Sequence, residues 1–147
     1  MTKKALIALT EDELDTLVSI AIRRAEILDD AGLPMANDAW HEVMVYEERL
    51  AMITCAAEIT GGIARVGAVR AALAGGRRLE AARLASQYLA EDSLPAERRM
   101  AIEQAFHEDR ERRARRFPAL ARSGRLAELD EWRAITSKTP RVFPWAA

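Results

Sequence analysis

Glu103, His107 and Glu111 are spaced at intervals of four residues, and this spacing could support metal chemistry. On a helix, residues four apart lie on the same side, so two carboxylates and an imidazole could share a metal ion. Di-iron helical bundles need a Glu-x-x-His pair on each of two helices. The sequence has no such pairs, so the three residues are a candidate metal site only, and we expect no cofactor.

Acidic residues on neighbouring helices suggest a second chemistry. Helical pyrophosphate hydrolases use several such carboxylates to hold magnesium. Their two-helix pattern of Glu-x-x-Glu and Glu-x-x-Asp is not reproduced in order here. An acid-lined, metal-dependent helical hydrolase is therefore kept as the second alternative function. Its candidate carboxylates are Glu26, Asp29, Glu42, Glu47, Glu48 and Glu58.

Nucleophilic catalysis has little basis in the sequence. Ser86 and Ser93 lack the G-x-S-x-G context of a nucleophile elbow, and Cys55 has no evident histidine partner. Cys55 is the only cysteine, which excludes an intramolecular disulfide. We therefore expect no catalytic residues, and an enzyme is the less favoured interpretation.

The most basic stretch is "HEDRERRARRF", residues 107–117. On a helix, an acid four residues before an arginine stabilises the helix and neutralises its surface. Three of the five arginines have such an acid, whereas a DNA-contacting face usually leaves its arginines for phosphates. Nucleic-acid binding, as a regulator or a ribonucleoprotein small subunit, is therefore the first alternative function. Its candidate residues are Arg110, Arg112, Arg113, Arg115 and Arg116.

The apolar stripe of the same helix is interrupted. It starts at Ile102 and Phe106, meets Asp109 and two arginines, and resumes near Phe117. The interruption predicts that the middle of the helix stands clear of its own core, solvated or held by a partner. Bulky apolar residues also occur in the tail, where they need a packing site. The candidate partner-binding residues are Phe106, Arg110, Arg113, Phe117, Phe143 and Trp145.

These side chains are positioned by a series of predicted helices. The first begins at Thr10, where "TEDE" forms a capping box with Glu13, and ends at Gly32. The glycine-rich segment 61–76 lacks the lysine of a phosphate-binding loop and predicts a helix with small residues for close packing. The remaining helices are predicted at about 36–60, 77–91, 95–116 and 125–137.

The predicted fold is all-α: a compact bundle of five or six helices with a long charged fifth helix and an extended C-terminal tail. We predict a single helical domain over 1–147, with an N-terminal arm (1–9), a bundle (10–137) and a tail (138–147). No strand pattern of period two occurs, and no apolar run reaches membrane-spanning length. We expect a cytoplasmic protein that does not enter membranes.

Charge is distributed unevenly along the chain. Residues 1–62 carry five basic and twelve acidic side chains, and residues 63–147 carry seventeen basic and eleven acidic ones. Such asymmetry favours charge-complementary packing within the chain or between copies. The leading hypothesis is a non-catalytic helical interaction protein: a small subunit, adaptor or assembly factor of a larger complex, or an oligomer, with a protein partner or a second copy.

Overall fold

A computed structural model describes residues 2–122, and every regular element in this part of the chain is helical. The all-α prediction is confirmed. The predicted helix 125–137 and the tail 138–147 lie outside the described residues. The helices are α1 (Lys3–Ile7), α2 (Glu11–Asp30), α3 (Ala36–Ile53), α4 (Ile59–Ala74), α5 (Arg78–Leu89), α6 (Ala96–Arg116) and α7 (Pro118–Arg122).

Helix α2 begins and ends as its sequence predicts. The backbone N–H of Glu13 donates to Thr10 Oγ1 (3.3 Å), and the Thr10 N–H donates to Glu13 Oε2 (2.9 Å). These two reciprocal bonds form the capping box. After the helix, Gly32 adopts a φ of +66°, a conformation that favours glycine. The apolar stripe of α2 is buried at Leu14, Val18, Ala21 and Ala25.

The predicted helix 36–60 is wrong, because the chain breaks between α3 and α4. Thr54 has an extended backbone, and its hydroxyl donates to the Leu50 carbonyl oxygen (2.6 Å). The first turn of α4 then packs against this connection so closely that a Cβ on Gly61 would overlap the Cys55 carbonyl oxygen. Apolar residues continue through the break, although several of them are exposed there, so periodicity alone did not locate it.

Helices α3 and α4 form the centre of the bundle. Helix α2 packs on α3, whereas α5 and α6 pack on α4. Helix α4 is buried on several sides and is built from small and branched residues, as expected for a central helix. Among the described residues, no helix is long and apolar enough to cross a membrane. The largest fully buried side chains are Leu14, Val43, Val69, Leu84, Tyr88 and Ile102.

Helix α6 has the predicted length, but two expectations for it are wrong. The stretch "SLP" at 93–95 predicts Ser93 as the N-cap, whereas the N-cap is Pro95, without a side-chain cap. The middle of the helix also does not stand clear of the core, because Asp109 is only 3% exposed. Asp109 continues the buried stripe of Ile102 and Phe106 and is neutralised there by arginines, so the apolar stripe is replaced by a buried ion-pair cluster.

Candidate functional site

A cleft of about 510 Å³ opens on one side of the bundle. Helices α2 and α4 both pack on α3 and make few contacts with each other, so a gap remains between them above α3. The cleft extends along α4 to α6. Its volume lies in the range of small-molecule sites. Its apolar lining includes Ile22, Trp40, Val43, Ile63, Val66 and Leu73.

Glu47 is the buried polar group of this cleft. Its α3 position, four residues after Val43 and three before Leu50, places it on the buried stripe, and the residue is only 4% exposed. Its carboxylate packs against α4 at Gly67, where a Cβ would overlap it. Within residues 2–122 the Glu47 carboxylate has no hydrogen-bond or ion-pair partner. A buried carboxylate without a partner is costly, so this position invites a functional explanation.

Burial controls the protonation of this side chain. Desolvation by burial is the main cause that raises the pKa of Glu47 to about 8, and the nearby negative charge of Asp15 contributes to this rise. Glu47 is therefore mostly a neutral carboxylic acid at pH 7. It can give up its proton near neutral pH, which ordinary glutamates do much lower.

A second buried acid, Asp109, is surrounded by the guanidinium groups of three arginines. Its Oδ2 lies 3.1 Å from Nε of Arg78 on α5 and 3.2 Å from Nε of Arg113, and its Oδ1 lies 3.0 Å from a terminal guanidinium nitrogen of Arg112. The cluster ties α5 to α6. Because its carboxylate is saturated by guanidinium groups, Asp109 is an anchor between helices rather than a free ligand.

The same cluster engages some of the arginines of the basic stretch 107–117. Arg112 and Arg113 bind Asp109, and the Arg113 side chain is only 16% exposed. Arg110, Arg115 and Arg116 are exposed, and the Arg116 guanidinium lies over the Phe117 ring at 5.6 Å. The five arginines therefore do not form one free basic face. Of the three predicted acid–arginine pairs, Asp109–Arg113 is present. Glu108 instead accepts a hydrogen bond from Gln104, and Glu111 pairs with His107.

The candidate metal residues come together only in part. His107 Nε2 lies 3.3 Å from Glu111 Oε1 on an exposed part of α6, and Glu103 is exposed one turn earlier. Across residues 2–122, no group of three or more histidine, cysteine, aspartate or glutamate side chains is arranged to hold a metal ion.

Of the six carboxylates considered for a hydrolase, three lie outside the cleft and three line it. Glu42 pairs with Arg24 at 3.2 Å and Glu48 with Arg83 at 3.1 Å, so both join helices. Glu58 is the exposed N-cap of α4. The other three line the cleft, where Asp29 accepts a hydrogen bond from Trp40 Nε1 (3.2 Å); they are Glu26, Asp29 and Glu47.

The candidate partner-binding residues also differ in location. Phe106 is buried in the protein's own core, where it lines a smaller cavity between α5 and α6. Phe117 is exposed just after α6. Phe143 and Trp145 lie outside the described residues.

An exposed apolar region that the sequence analysis missed lies where α3 ends and α4 and α6 begin. Gly62 contacts the Arg98 side chain closely, which places the first turns of α4 and α6 side by side. Arg65 fixes this end, because its guanidinium donates to both Glu91 carboxylate oxygens (2.9 Å each) and to the Thr54 carbonyl oxygen (3.2 Å). We call these exposed residues the apolar end surface: Met52, Ile53, Ile59, Ile63 and Met100.

Some of these features have a signal in the sequence. Glu47 and Asp109 both fall at core positions of apolar stripes, which marks them as buried acids. The apolar end surface has no such signal, because it combines residues from three helices. Comparison of the chain with protein-family models, with curated proteins and with solved structures found no match.

Proposed function

We propose that this chain is a non-catalytic helical interaction protein, a small subunit, adaptor or assembly factor that binds a protein through the apolar end surface. The observation that carries the proposal is the exposure of large apolar side chains at one end of the bundle, with Ile59 76% exposed. Single exposed apolar residues are ordinary, whereas several at one location are typical of interaction sites.

The rigidity of this end supports the proposal. Arg65 is buried and ties the connection between α3 and α4 to the end of α5. Arg99 donates to the carbonyl oxygens of Leu89, Glu91 and Leu94, which holds the start of α6 in place. A surface that is already ordered loses little conformational entropy when a partner binds.

The arginines of α6 give less support to the nucleic-acid alternative. Arg112 and Arg113 are engaged by Asp109 within the protein, so their charges are partly neutralised before any phosphate arrives. The cleft carboxylates give no support to the hydrolase alternative, since they are not grouped to hold a metal ion within residues 2–122.

The substitution Ile59→Glu tests the proposal. A glutamate in the first turn of α4 suits the helix dipole, so we expect the variant to fold while its charge disrupts an apolar interface. Light scattering should give the wild type a mass above the 16.4 kDa of one chain, as an oligomer or with a bound protein, and should give the variant 16.4 kDa.

The matched control is Ile20→Glu. Ile20 is 61% exposed on α2, away from the apolar end surface, so this variant should keep the wild-type mass. A wild-type protein that purifies alone at 16.4 kDa, or equal masses for the wild type and Ile59→Glu, would contradict the proposal.

A further inference from the structure

The cleft between α2 and α4 combines apolar walls with one buried carboxylate. Ile22 and Ile63 line it from opposite helices, and Trp40 and Val43 line it from α3. Glu47 lies on the same helix as Trp40, one turn beyond Val43. Sites for small organic molecules have this composition, with a largely apolar lining and few polar groups that fix orientation.

We infer that this cleft binds a small organic cation, a primary ammonium group on an apolar body, with the ammonium group on the Glu47 carboxylate. An ammonium group has three N–H donors and no acceptor. It would supply the hydrogen bonds and the opposite charge that Glu47 lacks among residues 2–122. Its apolar body would lie against Ile22, Trp40 and Ile63.

The surrounding charges favour a cation at the base of the cleft. Helix α2 contributes the negative charge of Asp15 near Glu47, and Glu26 and Asp29 line the cleft from the same helix. The positive groups that line it are Arg70 on α4, which is exposed, and Arg98 and Arg112 on α6, where Glu108 also lies. Arg112 is bound to Asp109, and the Arg98 side chain packs on Gly62.

An organic cation fits better than a metal ion. Metal ions in proteins take several oxygen or nitrogen ligands, and the described residues contain no group of three acidic, histidine or cysteine side chains that could hold one. A monovalent ammonium group needs one carboxylate and an apolar pocket for its body. The inference rests on Glu47, which is not part of the apolar end surface. Ile63 belongs to both sites, but neither test changes it, so the two proposals fail separately.

The pH dependence of ligand affinity is the readout of the test, because it follows the protonation of Glu47. A proton and an ammonium group compete for the same carboxylate, and burial raises the Glu47 pKa to about 8. An alkylammonium ion resembles a lysine side chain and keeps its charge to about pH 9. Its affinity should therefore rise by roughly 90-fold between pH 6 and pH 9, because the competing proton leaves Glu47 over this interval.

The experiment is calorimetric titration of the full chain with hexylammonium, hexanol and hexanoate at pH 6 and pH 9. Hexylammonium should bind more tightly at pH 9 and more tightly than the other two compounds. Glu47→Gln, which has nearly the same shape, should lose at least about 10-fold in affinity and all of the pH dependence. Glu111→Gln, at an exposed acid of α6 that does not line the cleft, is the matched control and should keep both.

A second variant guards against an effect on folding. Glu47→Met fills the same volume without a carboxylate, and circular dichroism and thermal melting establish that each variant is folded before titration. No binding of hexylammonium at pH 9, tighter binding of hexanoate, or undiminished binding to both folded Glu47 variants would overturn the inference.

Discussion

The substitution Asp109→Asn should lower the free energy of unfolding by about 3 kcal/mol. The Asp109 carboxylate lies within 3.2 Å of guanidinium nitrogens of Arg78, Arg112 and Arg113. Arg78 is also largely buried, on α5, so removing the negative charge leaves a buried positive charge uncompensated by Asp109. Breaking such a buried pair costs far more than breaking a surface pair.

Urea unfolding at pH 7 measures this change. Glu111→Gln is the matched control, since Glu111 lies on the same helix but is exposed and pairs with His107. The control should change the free energy of unfolding by less than about 0.5 kcal/mol. A loss below about 1 kcal/mol for Asp109→Asn would mean that the cluster does not anchor α5 to α6.

Replacing Glu47 with glutamine should remove a pH dependence of stability. The folded-state pKa is about 8 and the ordinary value is 4.5, so between these values the folded protein binds the proton that the unfolded chain has released. Stability therefore falls as pH rises through this window. From pH 5 to pH 8 the fall due to Glu47 is about 3 kcal/mol, and Glu47→Gln should lack it.

Urea unfolding of both proteins at pH 5, 6, 7 and 8 isolates the effect, because other groups titrate equally in each. The free energy of unfolding of Glu47→Gln should increase relative to that of the wild type as the pH rises. Glu26→Gln, an exposed acid of the same cleft, should run parallel to the wild type. Parallel curves for Glu47→Gln and the wild type would show that Glu47 titrates like an ordinary glutamate.

Local chemistry in the sequence accounts for much of the fold. The capping box at Thr10 and the positive φ at Gly32 set the limits of α2 because both depend on residues near in sequence. The break at Thr54 depends on contacts between α4 and the preceding connection, which include the close approach of Gly61. Such contacts are tertiary, so periodicity could not place the break.

The candidate site shows the same division. Burial of Glu47 and Asp109 follows from their positions on apolar stripes, although the charged residues around Asp109 favour an exposed helix. What the sequence could not reveal is the partner of each acid. Arg78, 31 residues away, reaches Asp109, whereas no side chain within residues 2–122 reaches the Glu47 carboxylate. That difference separates a structural anchor from a candidate binding site.

The proposed interaction function is tested most directly by site-specific photocrosslinking in cells that produce the protein. A benzophenone-bearing amino acid is placed at position 59, in the apolar end surface, and at position 20 on α2 for comparison. We predict a covalent protein adduct from position 59, of about twice 16.4 kDa if the partner is a second copy, and none from position 20. No adduct from position 59, or equal adducts from both positions, would contradict the proposal.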